Sequence, residues 1–173
     1  MPDHRLTSNS ALVEVPLAER WNGHELAGTA GPWPRESALS GVACPAAALC
    51  IAVGHHETGS FSYTTLAEAW NGTSWAVLPS SSSPNLASVS CAAPSSCTAI
   101  GSTLTGTRKE PLAVHWNGTA WAVQHPPAPP RTTESLFSDV SCPAVTACEA
   151  VGFFHQRPKG GGFRDRTLIE TGP

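Results

Sequence analysis

Val89-Ser90-Cys91 and, after five intervening residues, Cys97-Thr98-Ala99-Ile100-Gly101 form a motif that occurs three times in the chain. The other copies are Val42-Ala43-Cys44 with Cys50-Ile51-Ala52-Val53-Gly54, and Val140-Ser141-Cys142 with Cys148-Glu149-Ala150-Val151-Gly152. The first cysteine advances by 47 residues (44 to 91) and then by 51 (91 to 142). A period of this length indicates a repeat architecture, in which each copy is one supersecondary unit that packs on its neighbours.

A second motif recurs with a similar period. The ten residues Leu66 to Trp75 match the ten residues Leu112 to Trp121, and both segments contain Trp-Asn-Gly-Thr-x-Trp. A third copy lies at residues 17–23 and a fourth begins at residues 167–170. The chain therefore contains a half repeat, two whole repeats and most of another.

Each whole repeat is predicted to contain four short strands. In the second whole repeat these are residues 86–91, 97–103, 112–116 and 121–124, between proline- and serine-rich linkers at 79–84 and 126–130. Four strands in 47 to 51 residues are the sequence signature of a β-propeller blade. The predicted fold is therefore all-β and β-propeller-like, with four-stranded antiparallel blades and an incomplete ring of about three to three and a half blades.

The motif positions predict the domain boundaries. Residues 1–11 are expected to be poorly ordered, and residues 12–173 to form one repeat domain. That domain divides into a half blade at 12–34, blades at 37–79 and 86–126, and a partial blade at 136–171. Because propellers usually have about four to eight blades, the chain is interpreted as a fragment of a longer propeller or as a protomer that closes its ring by self-association.

The six cysteines are predicted to form three disulfides, one in each repeat. Five residues separate the two cysteines of each pair, and a hairpin loop of that length places them opposite each other across two strands. A metal site and a redox switch are the alternatives, but no histidine recurs at a fixed offset from the pairs. The predicted bonds are Cys44 to Cys50, Cys91 to Cys97, and Cys142 to Cys148.

The tryptophan motif is interpreted as a turn with aromatic packing. Asn-Gly is a strong hairpin signal, and both tryptophans of a motif fall on the same face of the sheet. They are expected to pack between neighbouring blades, although exposed tryptophans that stack on sugar rings are an alternative. The predicted turn and packing residues are Trp21, Asn22, Gly23, Trp70, Asn71, Gly72, Trp75, Trp116, Asn117, Gly118 and Trp121.

Small residues alternate along the second strand of each repeat. Cys97, Ala99 and Gly101 share one face, as do the equivalent residues of the other copies. They are expected to let the adjacent sheet approach closely.

The predicted binding site lies on the rim where the repeats differ. The turns that carry the cysteines and Asn-Gly lie on one rim, and the variable connections after the second and fourth strands lie on the other. Six of the ten basic residues fall in these variable connections, so an anionic glycan or a protein surface is a candidate partner, and the two adjacent histidines are interpreted as solvated loop residues. The candidate binding residues are His55, His56, Tyr63, Arg108, Lys109, His155, Arg157 and Arg164.

The composition and motifs exclude several function classes. Charged residues make up 13% of the chain, against about 25% in an average globular protein, and a net charge of -3 argues against nucleic-acid binding. No phosphate loop, metalloprotease motif or nucleophile elbow is present, so we expect no catalytic residue, no metal and no cofactor. No apolar stretch is long enough for a membrane span.

The paired cysteines predict an oxidising compartment, and therefore an extracellular or cell-surface location. No secretory signal is visible at the N-terminus. Three explanations remain open: an upstream start, a piece of a longer exported protein, or reduced cysteines in a cytosol.

Val-Ser-Cys-Pro, Cys-x-Ala-Val-Gly and Leu-Ala-Glu-x-Trp-Asn-Gly-Thr-x-Trp together resemble tandem repeats of exported, mostly uncharacterised actinobacterial proteins of the kelch or galactose-oxidase-like propeller kind. The resemblance extends from about residue 12 to the end of the chain. It implies an extracellular scaffold or binding module for a glycan or protein, and it brings no catalytic residues. The alternative is a fragment of a propeller-fold glycosidase or lyase whose catalytic residues lie in further blades.

Overall fold

The computed structural model describes residues 15–21, 23–29, 31–59, 62–80, 84–158, 160–162 and 164–172. The predicted N-terminal segment 1–11 and the predicted turn residue Asn22 lie outside this part of the chain. The described residues form thirteen β-strands. They are β1 (Glu19–Trp21), β2 (Leu26–Gly28), β3 (Ser37–Ala46), β4 (Leu49–Gly59), β5 (Ser62–Trp70), β6 (Trp75–Val77), β7 (Pro84–Ala93), β8 (Ser96–Thr105), β9 (Arg108–Trp116), β10 (Trp121–Gln124), β11 (Thr132–Ala144), β12 (Ala147–Gln156) and β13 (Arg164–Gly172).

The strands follow one another as antiparallel meanders, so the all-β prediction is confirmed. Strands β1 and β2 form a hairpin, and β3 to β6 form a four-stranded antiparallel sheet, the first meander. Strands β7 to β10 form the second meander and β11 to β13 the third. Separate sheets were expected for these two, but a single parallel pair between Glu134 and Lys109 joins them into one mixed seven-stranded sheet. In the described part of the chain the sheets do not close into a ring.

The three predicted disulfides are present and confirm the cysteine pairing. The Cα atoms are 4.0 Å apart in Cys44–Cys50, 3.9 Å in Cys91–Cys97 and 4.1 Å in Cys142–Cys148. Each bond joins the first two strands of a meander next to their turn. Disulfides within small domains are typical of extracellular proteins.

A glycine in the second strand of each meander faces a bulge in the first strand. The register shifts between Leu86 and Ser88, and Gly101 pairs with Leu86 at this point. A Cβ atom built on Gly101 would lie 2.0 Å from the carbonyl oxygen of Asn85. Gly54 and Gly152 show the same distance to Ala38 and Leu136. The expectation that this glycine admits an adjacent sheet is therefore wrong, because the close neighbour is the paired strand of the same meander.

The Asn-Gly turns follow the four-residue-loop register, with Trp70 opposite Trp75 and Trp116 opposite Trp121. The ring centroids of these pairs are 5.7 Å and 5.4 Å apart. In the second meander the Asn117 side-chain oxygen accepts hydrogen bonds from the backbone N–H groups of Thr119 and Ala120 and from the Thr119 hydroxyl, each at 2.9 Å. Asn71 makes the equivalent contacts in the first meander. Glycines at positive φ, such as Gly118 at 96°, complete these turns.

The core consists of the surfaces between successive meanders. We call the side of a meander that is turned to the next one its forward face, and the opposite side its rear face. Ile51, Val53 and Ala67, on the forward face of the first meander, are completely buried against the second. Ile100 and Ala113, on the forward face of the second, are buried against the third. The core is therefore divided between two interfaces, as in other repeat proteins.

The connections after the second strands of the first and second meanders, which were predicted to be variable loops, are mostly strand. Residues 55–59 continue β4, and residues 102–105 and 108–111 continue β8 and β9. Two residues remain between β8 and β9. The strands extend beyond the motif because backbone pairing continues wherever both partners carry β-tolerant residues such as threonine.

Candidate functional site

A groove lies between the first and second meanders, at the edge opposite the disulfides. Its volume is about 630 Å³, which is in the range of small-molecule sites. The lining combines hydroxyl, amide, phenol and ammonium groups. The residues are Thr58, Ser62, Tyr63, Thr64, Asn85, Ser102, Thr103, Leu104 and Lys109.

Tyr63 supplies the aromatic surface of the groove. It lies at the start of β5, where its side chain remains 43% exposed. The His55 ring meets it edge to face, with 5.2 Å between centroids and 85° between planes. A tyrosine held in this way presents an apolar ring and a polar hydroxyl to the same ligand.

Lys109 supplies the positive charge of the groove, but that charge is paired. Its Nζ is 3.1 Å from Glu134 Oε1, which comes from the third meander. Glu134 Oε2 is 3.7 Å from His155 Nδ1, and His155 Nε2 is 3.4 Å from Asp165 Oδ1. The six basic residues of the variable connections were expected to make this rim locally positive, with Glu110 and Asp165 as partial offsets. Glu134 is a further offset that the sequence did not reveal, so the groove has little net charge at this point.

Tyr63, Lys109 and Asp165 occupy the same position in the three meanders. Each precedes by three residues the leucine that pairs with the bulge-facing glycine, as Tyr63 precedes Leu66. The same point of the scaffold therefore carries an aromatic ring, a cation and an anion. Variation of this kind at a fixed backbone position is typical of a binding surface.

His55 and His56 do not form a site together. Both lie within β4 and are only partly exposed, so the interpretation as solvated loop residues is wrong. Adjacent strand residues point to opposite faces, and the two rings therefore cannot bind one ligand. The Nδ1 atoms of both rings are buried and have no hydrogen-bond partner among the described residues.

The remaining candidate basic residues lie outside the groove. Arg108 donates from its guanidinium to the Thr132 hydroxyl at 3.2 Å. Arg164 is exposed at the start of β13, and Arg157 lies after β12 and donates its backbone N–H to Arg131. Of the eight predicted binding residues, the structure brings Tyr63 and Lys109 together in the groove, and His55 supports the tyrosine.

No protein-family model, curated protein or solved structure matches the chain. The described residues contain no group of three or more histidine, cysteine, aspartate or glutamate side chains that could hold a metal ion. They also include no helix that could cross a lipid bilayer.

Glu68 is a buried residue that the sequence analysis did not single out. Its side chain is fully buried on the rear face of the first meander, where Trp33 donates its indole N–H to Oε2 at 2.6 Å. The other oxygen, Oε1, has no partner among the described residues. Burial raises the pKa of the Glu68 carboxyl above its ordinary value. A comparison of the repeats could have revealed that Glu68 is buried. The equivalent residue of the second meander is Val114, and a valine at this position indicates an apolar interface.

Proposed function

We propose that the protein is an extracellular β-propeller-type module that binds a neutral glycan in the groove of Tyr63 and Lys109. The observation that supports this most directly is the combination of an exposed aromatic ring with a polar lining in one groove of about 630 Å³. The three disulfides support the extracellular location.

The arrangement of the meanders supports the propeller interpretation. Their first strands, β3, β7 and β11, are successive neighbours, as are the innermost strands of consecutive propeller blades. The forward face of one meander packs on the rear face of the next. These relations are those of blades around a common axis.

The lining of the groove favours a glycan over a protein partner. Serine, threonine and asparagine exchange hydrogen bonds with sugar hydroxyls, and an aromatic ring packs against the C–H face of a sugar. Protein interfaces instead bury a central apolar patch, and among the described lining residues only Leu104 has an aliphatic side chain. The pairing of Lys109 with Glu134 favours an uncharged ligand, because the basic residue among the described lining residues is already paired with a carboxylate.

The same lining supports a binding role without catalysis. Glycoside hydrolases ordinarily use two carboxyl groups that flank the scissile bond. None of the described lining residues carries a carboxylate. Glu134 and Asp165 lie on opposite sides of His155, with oxygen atoms 3.7 Å and 3.4 Å from its two ring nitrogens, so the imidazole ring separates the two carboxyl groups.

Calorimetric titration with neutral hexose oligosaccharides and with uronic-acid oligosaccharides tests this function. We expect binding of the neutral series, and Tyr63→Ala should weaken it at least about fivefold, which is about 1 kcal/mol. Tyr63→Phe keeps the ring and should retain most of the affinity. Val123→Ala, at an exposed position on β10, serves as the remote control.

Two results would contradict the proposal. One is an absence of binding to every oligosaccharide of both series. The other is binding that Tyr63→Ala leaves unchanged, since the ligand would then lie elsewhere on the protein.

A further inference from the structure

The two ends of the stack of meanders expose surfaces that are buried inside the stack. Val151 and Ile169 are a cross-strand pair on the forward face of the third meander, and they are 41% and 64% exposed. The equivalent pair in the second meander, Ile100 and Ala113, is 1% and 7% exposed. The third meander therefore exposes an apolar pair on its forward face that nothing in the described chain covers, next to Glu149, which stands where the internal faces carry Ile51 and Thr98.

The rear face of the first meander shows a complementary exposure at Val42, whereas Leu66, Glu68 and Trp70 on the same face are buried. Val42 pairs with Ala52 as Val89 pairs with Ala99 and Val140 with Ala150. Val42 is 61% exposed, whereas Val89 and Val140 are 6% and 7% exposed. The same residue type in the same register is buried wherever a preceding meander covers it.

The hairpin of β1 and β2 covers this rear face incompletely. Both strands have three residues, and every one of those residues is exposed. Two gaps of about 310 Å³ and 330 Å³ lie between β1 and the first meander, and Val42 lines both. A single, smaller gap of about 240 Å³ lies at the interface of the second and third meanders, so the cover at Val42 is looser than that internal interface.

We propose that the forward face of the third meander binds the rear face of the first meander in a second copy of this chain. A second copy is the expected partner, because a forward face packs on a rear face at both internal interfaces of this chain. Shape also favours this pairing. Ile169 stands where the internal faces carry Ala67 and Ala113, and the gaps at Val42 provide room for the larger side chain.

In this complex β13 takes the place of β1 in the partner. Leu17 and Glu19 have the same spacing as Leu168 and Glu170, so β1 and β13 are equivalent strands that would meet at one position. Strand β13 pairs with β12 over nine residues, whereas β1 pairs with β2 over three. We therefore expect β13 of one copy to displace β1 of the other, because β1 is held by the shorter pairing.

The number of copies follows from the number of meanders. This step rests on the propeller architecture proposed above. Three meanders per copy make three with one copy, six with two and nine with three. Propellers usually have about four to eight blades, so two copies joined head to tail close one ring.

Light scattering during size-exclusion chromatography tests the assembly. At about 100 μM, where a micromolar complex is saturated, we expect twice the chain mass of 18.0 kDa. Ile169→Asp should weaken the complex more than about 100-fold, because it buries an unpaired carboxylate. Val42→Asp should do the same from the other side of the contact. Val123→Asp is the matched control, since Val123 is 42% exposed and lies on β10 of the second meander, outside both faces and outside the groove.

Mixing the two monomeric variants distinguishes a head-to-tail contact from a symmetric one. A ring of two copies has two identical contacts, and in a mixed pair one of them keeps both native faces. The mixture of Ile169→Asp and Val42→Asp should therefore regain a dimer that neither variant forms alone. Circular dichroism and the absence of free thiols confirm that each variant is folded.

Three results would overturn the proposal: a monomeric wild type, a mass above that of a dimer, or a Val42→Asp protein that still dimerises. A monomer would mean that other structure, such as further meanders of a longer polypeptide, covers these faces. The mass measurement is independent of glycan binding. A dimer that binds no oligosaccharide refutes only the proposed function, and a monomer that binds one refutes only the assembly.

Discussion

Replacing Gly101 by alanine tests how the first two strands of a meander are held together. The added Cβ atom would lie 2.0 Å from the Asn85 carbonyl oxygen and 2.9 Å from the Leu86 Cα atom. Carbon and oxygen atoms in close contact are ordinarily about 3.3–3.6 Å apart. One strand must therefore move by more than about 1 Å, and the obstacle is backbone that cannot rotate away.

The expected cost follows from the surroundings of this contact. Leu86 is completely buried and Ile100 is 1% exposed, so a displacement of β7 or β8 disturbs both interfaces of the second meander. Overpacking in a core typically costs about 1–3 kcal/mol, and a backbone obstacle falls at the upper end. We expect Gly101→Ala to lower the free energy of unfolding by about 3 kcal/mol or more, a large part of the total of about 5–15 kcal/mol for a natural domain.

Guanidinium denaturation with the disulfides intact measures this change. Gly59→Ala is the matched control, because a Cβ atom at Gly59 meets nothing within 4 Å. That variant should be neutral or more stable by about 0.4–1 kcal/mol, through its effect on the unfolded chain. Gly54→Ala and Gly152→Ala repeat the geometry of Gly101 and should be destabilised too. A Gly101→Ala protein that loses less than about 1 kcal/mol, or no more than Gly59→Ala, would refute the reasoning.

Two further predictions concern Glu68 and Asn117. Burial raises the pKa of the Glu68 carboxyl in the folded protein above its ordinary value of 4.5. The wild-type free energy of unfolding should therefore fall as the pH rises from 4.5 through the raised pKa, because the folded state holds the proton more tightly than the unfolded state. Glu68→Gln should remove this fall, and denaturation between about pH 4 and pH 8 that gives equal slopes for both proteins would count against the assignment. Asn117→Ala should lower the free energy of unfolding by about 1 kcal/mol, because two backbone N–H groups lose their acceptor. Asn117→Asp keeps an acceptor oxygen and should unfold close to the wild type, so an equal loss in both variants would contradict this role.

The features that the sequence predicts correctly are those set by short-range geometry. A five-residue separation is enough to place Cys91 opposite Cys97, and the Asn-Gly turn limits Trp116 and Trp121 to two registers. Both depend on strand alternation and loop length, which are read directly from neighbouring residues. The bulge opposite Gly101 was not predicted, because an extra residue in one strand leaves no mark on the alternation of the other.

The features that the sequence does not predict depend on contacts between meanders. Lys109 and Glu134 are 25 residues apart (109 to 134), and only the packing of the third meander beside the second brings them together. Their pairing changes the expected ligand from anionic to neutral. Glu68 was missed for the same reason, since its burial depends on Trp33 and the segment before the first meander. Long-range partners of this kind have no periodic signal in a single sequence.

The bulge-facing glycine separates the part of each second strand that packs in the core from the part that carries the variable side chains. On the disulfide side of Gly54, the residues on both faces of the second strand are buried, such as Ile51 and Ala52. Beyond Gly54 the equivalent residues of the three meanders differ, as in His55, Ser102 and Phe153. Beyond the glycine, Phe154 still packs against the core, whereas an exposed side chain such as Tyr63 can change without disturbing the interfaces. Tyr63 lies beside this part of the second strand, so its substitution should alter ligand binding while the stack of meanders is retained.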